Sequence, residues 1–543
     1  MIAGNVQQTG TSMTSVPIQS SKNIFFFCVP AWGHSKPVIA LASRILESRP
    51  NVVITFFTFG SIYPKILAEI DKIPHGKGPG MREDVQNRLF VIDVCGMIVF
   101  PLVPVPAFTP AFEALWNGEP IKCLSSGKEY TSLPRPSVAI MDPFAGYAIE
   151  AIRDTTLPHP GGPLRMLAWL TAPSGPCLRI LGPATMGGIG LSGRLSMKTI
   201  RYGTEEDIMP IMGSFNPQLT GKVISIPGTP TMYDYEFLPQ ESLSASILEE
   251  LGRIYVPQLD GAFFTTASSY EKDALVTVNK WLGEGNVYPV GPLSMATREE
   301  GASSGDLLEV GDGDKATKMK AVEFLDQMQA KFGEKSVVYM SFGSLFWPSD
   351  EDKMWAAIEA FLANDVPIIF AHPSPFKKPI NEEKLRMLQE SPIATDFEWA
   401  PQETILMHPA TGWFVSHGGW NSTQEAFVYR VPQIFWPFAA DQPYNSALMS
   451  QVHKAAFELI NVRTGPGAQL PYRFKDLPES EQPKFTVDAV REEICDLLIR
   501  LKGDEGLLVR KNFEQLAKTY LNGWEQYGEA RGNMERFLKK YVD

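Results

Sequence analysis

The sequence predicts an α/β protein built from two doubly wound parallel sheets. Short apolar runs typical of buried strands alternate with segments of helical period, as in IFFFCVP (24–30) followed by VIALASRILES (38–48). The chain has 543 residues, which is too long for one hydrophobic core and is typical of two domains. A stretch rich in Gly, Ser, Asp and Glu near residue 300 separates two such alternating halves. We therefore expect two Rossmann-like domains.

The first half places two polar residues at predicted strand ends. NVVITFFTF (51–59) and RLFVIDV (88–94) repeat the strand pattern, and PSVAIMD (136–142) ends another strand at Asp142. His34 follows the first strand, in the predicted loop PAWGHSKP (30–37). Because the carboxyl ends of parallel strands meet at one edge of a sheet, His34 and Asp142 are expected to face the same crevice.

Residues 157–250 are rich in Gly and Pro and weakly periodic, so the sequence assigns no fold to them. They include GIGLSG (188–193), a literal G-x-G-x-x-G. A dinucleotide site needs this motif directly after a strand, with an acidic residue at a later strand end. Neither context is evident, so we interpret the motif as a loop and not as a nicotinamide site.

The second half begins after the acidic stretch SMATREEGASSGDLLEVGDGDK (294–315). A predicted helix through AVEFLDQM (321–328) leads to the strand SVVYMSFGS (336–344), and residues 506–543 have an amphipathic helical pattern. The predicted organisation is a flexible tail (1–21), a first Rossmann-like domain (22–293), an acidic linker (294–316), a second Rossmann-like domain (317–505) and C-terminal helices (506–543).

Composition and charge argue against several classes of protein. A net charge of −12 disfavours nucleic acid or an anionic membrane as a general partner. The apolar segments 94–115 and 163–181 are interrupted by prolines, so neither is a convincing membrane-spanning helix. The five cysteines are scattered, which favours a reducing, cytoplasmic location, and the first 21 residues lack a signal-peptide pattern. The seven histidines show no metal-ligand spacing.

Residues 399–442 carry the densest set of polar groups. The run GWFVS (412–416) predicts a buried strand, the glycines after His417 a turn, and NSTQEAFVYR (421–430) a helix. Asn421 and Ser422 lie at the helix start, where N–H groups and the helix dipole favour a phosphate. Glu425, one turn later, would repel phosphate and suits a pair of ribose hydroxyls. Singly these residues are explained as core or cap, but together they indicate a nucleotide site.

The same stretch resembles the nucleotide-sugar signature of the family 1 UDP-dependent glycosyltransferases, of the plant secondary-product type, over its full length. PAWGHSKP (30–37), IMDPF (140–144) and VVYMSFGS (337–344) are similar to three further motifs of that family in the same order. The resemblance implies the GT-B architecture, in which two Rossmann-like domains face each other across a cleft. The first would bind the acceptor and the second the UDP-sugar. Gly418 departs from the signature by replacing a cysteine, and Arg430 by replacing a glycine.

The resemblance also implies roles for single residues. Trp399 would stack on uracil, Ala400 and Gln402 would hold the base, and Glu425 would take the ribose hydroxyls. The other donor-binding residues would be Ser344, His417, Gly419, Asn421 and Ser422 around the diphosphate, and Trp420, Asp441 and Gln442 around the sugar. Gln442 at the last signature position indicates UDP-glucose as the donor, because its amide would offer both a donor and an acceptor to a vicinal pair of sugar hydroxyls. Trp420 would limit the room near the 4-position of the sugar.

The expected chemistry is inverting glucosyl transfer to a hydroxyl, without a cofactor or a metal. His34 has the pKa suited to accept the hydroxyl proton, and Asp142 would stabilise the imidazolium. The superficially D-x-D-like Asp312-Gly313-Asp314 lies among glycines and is interpreted as solvated linker. The alternatives are an inactive UDP-sugar-binding partner subunit, disfavoured by the presence of both His34 and Asp142, and a GT-B-fold UDP-sugar epimerase, which would leave an acceptor pocket without a role.

The acceptor is the least determined part of the prediction. Flavonoids, other polyphenols, sterols and hydroxylated lipids all fit, and a monomer is expected. Five aromatic residues suggest an apolar acceptor pocket, although aromatic side chains more often form core. They are Phe100, Phe108, Phe112, Trp116 and Phe144.

Overall fold

The computed structural model describes residues 21–73, 81–98, 105–191, 195–203, 219–241, 246–293, 313–373 and 379–543. Two sheets, of seven and six strands, organise this part of the chain and confirm the predicted doubly wound α/β class. Most of the predicted tail (1–21) and linker (294–316) lies outside the described residues, as do Phe100, Asp312 and the end of the GIGLSG motif.

The first sheet is parallel throughout, and its strands, numbered along the chain, lie in the order 3-2-1-4-5-6-7. Its core strands are buried on both faces, as expected where helices cover a parallel sheet on both sides. The strands are β1 (Lys22–Phe27), β2 (Val52–Thr58), β3 (Leu89–Asp93), β4 (Pro136–Met141), β5 (Arg165–Leu170), β6 (Gly261–Phe264) and β7 (Val287–Pro289).

Helices connect these strands, and two short antiparallel hairpins project from the connections, pairing Ile121–Lys122 with Glu129–Tyr130 and Val223–Ile224 with Met232–Tyr233. The helices are α1 (Trp32–Ser48), α2 (Tyr63–Asp71), α3 (Met81–Arg88), α4 (Phe108–Asn117), α5 (Gly146–Thr156), α6 (Ser174–Leu181), α7 (Met197–Tyr202), α8 (Ser246–Tyr255) and α9 (Ser268–Leu282).

The second sheet is also parallel and has the strand order 3-2-1-4-5-6, numbered from its own first strand. This is the order of a dinucleotide-binding sheet. Its strands are β8 (Val337–Ser341), β9 (Ile368–Ala371), β10 (Ala394–Phe397), β11 (Thr411–Ser416), β12 (Gln433–Phe435) and β13 (Phe457–Glu458).

The helices of the second half surround this sheet and then continue to the C-terminus. They are α10 (Lys315–Phe332), α11 (Glu351–Ala363), α12 (Glu382–Glu390), α13 (Gln402–Met407), α14 (Trp420–Tyr429), α15 (Gln442–Ala447), α16 (Val487–Lys502), α17 (Asp504–Leu521) and α18 (Glu529–Tyr541).

The last helix, α18, packs on the first sheet although it follows the second in sequence. Arg536 donates to the carbonyl of Val287 in β7 at 2.5 Å, and Asn533 donates to the carbonyl of Pro289 at 2.9 Å. Arg49, at the end of α1, pairs with Glu535 at 2.8 Å. The end of the chain therefore ties the second half back to the first domain.

Two predictions about elements were incomplete or wrong. The stretch 157–250, left without a fold, contains β5, a strand inside the first sheet whose apolar run is masked in the sequence by neighbouring prolines and glycines. The linker was predicted to reach residue 316, but α10 begins at Lys315. Asp314 caps that helix by accepting from the Thr317 N–H at 3.0 Å and from its hydroxyl at 2.7 Å. The described part of the GIGLSG motif, residues 188–191, forms a loop, as predicted.

No helix among the residues that the structure describes is both long and apolar enough to cross a bilayer.

Candidate functional site

Both sheets reverse their strand order between the first and the fourth strand. At such a reversal the following connections diverge to opposite faces, and a crevice opens at the carboxyl ends of the two strands. In the first sheet this crevice follows β1 and β4, which deliver His34 and Asp142. In the second sheet it follows β8 and β11, which deliver Ser344 and His417. The topology therefore places all four predicted residues at ligand-binding edges.

His34 and Asp142 are in direct contact, as predicted. The Nδ1 atom of His34 lies 2.7 Å from Oδ2 of Asp142. The Asp142 carboxylate is fully buried and also accepts the backbone N–H groups of Val29 at 3.3 Å and Phe144 at 3.0 Å. Since Nδ1–H donates to this fixed carboxylate, Nε2 is left as the proton acceptor of the neutral ring. The His34 side chain is 24% exposed, so a ligand can reach it.

The pKa of His34 lies above its ordinary value. Burial by itself lowers this pKa, but the charge of Asp142, its hydrogen bond to the ring and the charge of Asp441 together outweigh burial. A raised pKa makes the neutral imidazole a stronger base near neutral pH.

His34 lies in the first turn of α1 and not in a loop, which corrects the prediction. Helix α1 contains Pro37, which has no N–H, so the carbonyl of Gly33 four residues earlier lacks its usual helical donor. The amide of Asn421, from the second domain, donates to that carbonyl at 3.0 Å. A Cβ at Gly33 would lie 2.8 Å from the same amide nitrogen, so this approach requires glycine. The proline thus leaves this carbonyl available for a hydrogen bond between the helix that carries His34 and the start of α14.

The predicted strand, glycine turn and helix around His417 are confirmed as β11 and α14. Gly418 has φ +86°, and a Cβ there would lie 2.7 Å from the ring of Phe435. Gly343, after β8, approaches His417 so closely that its own Cβ would lie 2.7 Å from the imidazole. The replacement of the signature's cysteine by Gly418 therefore suits this backbone, because glycine adopts a positive φ without strain.

The imidazole of His417 is neutral. Burial lowers its pKa to about 4, and its Nδ1 has no hydrogen-bond partner among the described residues. A neutral ring can donate one N–H to an anion but contributes no charge. Helix α14 begins after Gly419, which supplies no capping side chain. The N–H of Trp420 donates to Asp441, and the N–H groups that follow it in the first turn remain donors for an anion. Ser422 in that turn is buried, whereas Ser344 is exposed.

Glu425 is held from two sides. Its Oε2 accepts from Nε2 of Gln402 at 2.6 Å, and its Oε1 lies 3.0 Å from Nζ of Lys36. Oε1 of Gln402 accepts from the hydroxyl of Tyr339 at 3.2 Å, which fixes the orientation of the amide. Gln402 and Glu425 were predicted. Lys36 and Tyr339 were not predicted, because they lie in α1 and β8, and no local pattern in the sequence shows that these elements approach Glu425 and Gln402.

Trp399 lies at the boundary between the two domains. It remains 42% exposed, and the ammonium group of Lys65 in α2 lies 4.7 Å from its ring centroid, a cation–π contact. The neighbouring Ala400 is half-buried. Part of the Trp399 ring is therefore accessible, and its stacking on uracil stays a prediction.

The indole of Trp420 is not at the cleft, which corrects the prediction that it limits the room around the sugar. Trp420 is only 2% exposed, donates from Nε1 to the carbonyl of Thr265 at 2.7 Å, and packs on Tyr270 and Tyr520. Its side chain therefore joins the two domains. The backbone N–H of Trp420, unlike its indole, contacts a predicted sugar-binding residue, because it donates to the carboxylate of Asp441.

Asp441 and Gln442 differ in what they can offer a ligand. Burial raises the pKa of Asp441 to about 6, against the opposing effect of N–H donors that include the Asn445 amide. Gln442 is buried, and its Oε1 already accepts the backbone N–H groups of Phe438 at 2.9 Å and Ala439 at 3.3 Å. The prediction that Gln442 offers both an acceptor and a donor is therefore wrong, because its oxygen is used within the loop.

Arg430 occupies the left-handed position that ends α14, with φ 61°. This is the position at which helices most often end on glycine, which explains why the signature has glycine there. The Arg430 guanidinium contacts the Glu514 carbonyl at 3.4 Å. The departure therefore leaves the loop before β12 in place.

Three of the four described candidate acceptor aromatics are core. Phe108 and Phe112 are fully buried, Trp116 nearly so, and they pack in a row beneath β1. Phe144 differs, because it is half-buried and its ring centroid lies 5.7 Å from that of His34. Only Phe144 of this set is placed to contact a molecule beside His34.

Comparisons with known proteins agree with this geometry. A family model described as UDP-glucoronosyl and UDP-glucosyl transferase matches residues 309–476. The chain is 27% identical over 531 residues to UDP-glycosyltransferase eriJ of Hericium erinaceus, covering 95% of this chain and 98% of that protein. It is 32% identical over 301 residues to anthocyanidin 3-O-glucosyltransferase 2 of Fragaria ananassa, covering 55% of this chain and 56% of the relative.

Solved structures share the fold over nearly all of the chain. The crystal structure of Medicago truncatula UGT71G1 complexed with UDP-glucose superposes with a TM-score of 0.65 at 17% identity, covering 97% of this chain and 99% of that one. A UGT transferase from Siraitia grosvenorii in complex with UDP gives a TM-score of 0.61 at 19% identity, covering 96% and 100%.

Proposed function

We propose that this chain, which is similar to UDP-glycosyltransferases and has the GT-B fold of their solved structures, transfers glucose from UDP-glucose to a hydroxyl of a hydrophobic small molecule. The acceptor classes are flavonoids, other polyphenols, sterols and hydroxylated lipids. The likeness to an anthocyanidin 3-O-glucosyltransferase supports a phenolic acceptor. We also propose that the enzyme acts as a monomer.

One observation carries the proposal: the amide of Asn421, at the start of α14, is bonded to the helix turn that holds His34. A diphosphate at the start of α14 and an acceptor at His34 would therefore lie close together, with the transferred sugar between them. The charge of Asp441, the proposed sugar ligand, acts on His34 across the same gap.

The residues then have distinct tasks. Nε2 of His34 takes the acceptor proton as the bond to the anomeric carbon forms, and Asp142 stabilises the resulting imidazolium. The N–H groups that open α14, with His417 and Ser422 as neutral donors, stabilise the charge that develops on UDP. Attack from the side of His34 and departure towards α14 make a single displacement, so the product is a β-glucoside.

Side-by-side kinetics with UDP-glucose, UDP-galactose, UDP-xylose and UDP-glucuronate against a panel of phenols and sterols test this function. We expect UDP-glucose to be preferred and UDP release to depend on the acceptor. A preference of roughly tenfold or more for another donor would contradict the glucose assignment. An α-anomeric proton coupling in the product would contradict inversion. Conversion of the UDP-sugar without an acceptor would support an epimerase, and binding without turnover an inactive partner subunit.

Chelation of metals should not reduce activity. The proposed diphosphate donors are N–H groups, hydroxyls and a neutral imidazole, none of which needs a bridging cation. Among the described ranges, no cluster of three or more His, Cys, Asp or Glu side chains is placed to hold a metal ion, and Asp314 is used as a helix cap. Rates after dialysis against EDTA should equal those before it. Loss of activity that manganese or magnesium restores would contradict the proposal.

A further inference from the structure

Lys36 bridges two carboxylates that belong to the other domain. Its Nζ lies 2.6 Å from Oε1 of Glu403 in α13 and 3.0 Å from Oε1 of Glu425 in α14. The three side chains are 14%, 11% and 14% exposed, so the group is shielded from water. Ion pairs shielded in this way respond strongly to the loss of one partner, because the remaining charge is left buried.

The position of Lys36 links this group to the proposed base. Lys36 and His34 lie two residues apart in the first turns of α1, where the carbonyl of Gly33 accepts from Asn421. Two contacts, one neutral and one ionic, therefore join the start of α1 to α14.

The charges around Glu425 explain why a cation is needed there. Burial raises its pKa, Lys36 lowers it, Glu403 raises it and the amide of Gln402 lowers it, with a net increase. Without Lys36, burial and the like charge of Glu403 would still raise the pKa of Glu425, and only the hydrogen bond from Gln402 would oppose them.

Other titratable groups near this cluster do not replace the lysine. Glu69 of α2 is a third carboxylate whose charge acts on Lys36, and the hydroxyls of Tyr339 in β8 and Tyr429 in α14 are neutral at physiological pH. Helix α17, on the other side of α14, places Glu514 beside Arg430 and Tyr520 beside Gln424. Among the described contacts of Glu425, the cationic partner is Lys36.

We propose that Lys36 is a positioning residue for the donor, which keeps Glu425 ionised so that this carboxylate can accept both ribose hydroxyls of UDP. The inference rests on the proposed function, because it takes Glu425 as the ribose ligand. A carboxylate offers about four acceptor positions, of which Lys36 and Gln402 use two. Two positions then remain for the hydroxyls, whereas a protonated carboxyl would present a competing O–H.

The test is the affinity of the full-length chain for UDP, measured by calorimetry from pH 6 to pH 9. In Lys36→Met the pKa of Glu425 rises, so more of this group is protonated at a given pH. We expect UDP to bind roughly tenfold more weakly than to the wild type at pH 6, the acid end of this range, where the protonated fraction of Glu425 differs most between the two proteins. The difference should shrink as pH rises and Glu425 ionises again. A side chain that only supported packing would give a loss independent of pH.

Four further variants isolate the charge. Lys36→Arg keeps the cation and should retain the wild-type pH profile. Lys36→Met combined with Glu403→Gln removes the like charge as well and should recover much of the lost affinity. Lys65→Met removes a cation from the same cleft without touching Glu425 and should introduce no new pH dependence. Glu403→Gln alone keeps Lys36 and removes the like charge that raises the pKa of Glu425. The loss of UDP affinity on acidification should therefore move to lower pH in this variant.

The outcomes separate two failures. Wild-type protein that does not bind UDP would overturn the proposed function itself. Wild-type protein that binds UDP, with Lys36→Met binding it equally or more tightly at every pH, would overturn only the role of Lys36 and make the lysine a competitor of the ribose. If Lys36→Met does not fold, an unchanged acid limb in Glu403→Gln overturns the inference in its place.

Discussion

Replacing His34 with alanine should reduce turnover by roughly 100-fold or more, the usual contribution of a positioned general base. The proton of an alcohol or phenol would then have to leave without the Nε2 acceptor that Asp142 orients. The affinity for UDP should remain close to that of the wild type, because the imidazole acts on the acceptor and not on the nucleotide. Steady-state kinetics on a weakly acidic alcohol, with UDP binding measured separately, check both statements.

Ser35→Ala is a suitable control for this variant. Ser35 is the next residue of the same helical turn, it is buried, and its hydroxyl has no hydrogen-bond partner within the described structure. The control should keep nearly full activity, so that a loss in His34→Ala reports the imidazole and not damage to α1. Near-wild-type turnover of His34→Ala on an alcohol would remove His34 from the mechanism. Strongly acidic phenols should lose the least, since they need the base least.

Asp142→Asn should reduce turnover by roughly tenfold to 100-fold while leaving the fold in place. Oδ2 of Asp142 accepts from His34 and from the N–H of Val29, and Oδ1 accepts from the N–H of Phe144. An asparagine must turn its NH₂ group towards one of these two sides. One orientation opposes the Phe144 N–H, and the other opposes the Val29 N–H and forces His34 into the wrong tautomer.

The pH profile of Asp142→Asn provides a second measurement. Activity requires neutral His34, so in the wild type it should rise with pH through the raised pKa of this residue. Loss of the Asp142 charge lowers that pKa, so the rise should move to lower pH while the plateau falls. An unchanged acid limb would show that Asp142 does not act through His34. The melting temperature and UDP affinity of the variant control for misfolding.

The sequence was informative where local pattern and chemistry coincide. The glycine turn between β11 and α14 could be predicted because a buried strand, two glycines and a polar segment of helical pattern follow one another without interruption. The pairing of His34 with Asp142 could be inferred because both follow strands of one parallel sheet. By contrast, β5 was missed because its short apolar run is flanked by prolines and glycines that resemble loop sequence.

The sequence by itself thus determined the two parallel sheets, the candidate base with its carboxylate, and the polar set of α14, because each depends on residues close together in the chain or on strand-end position. Only the tertiary structure decided what crosses between the domains. It turned Trp420 away from the cleft onto Thr265, used the oxygen of Gln442 within its own loop, and set Lys36 between two carboxylates. These outcomes depend on the distance and orientation of surfaces that are far apart in the sequence, and on which buried charges pair where those surfaces meet. Local periodicity in the sequence contains no information on either.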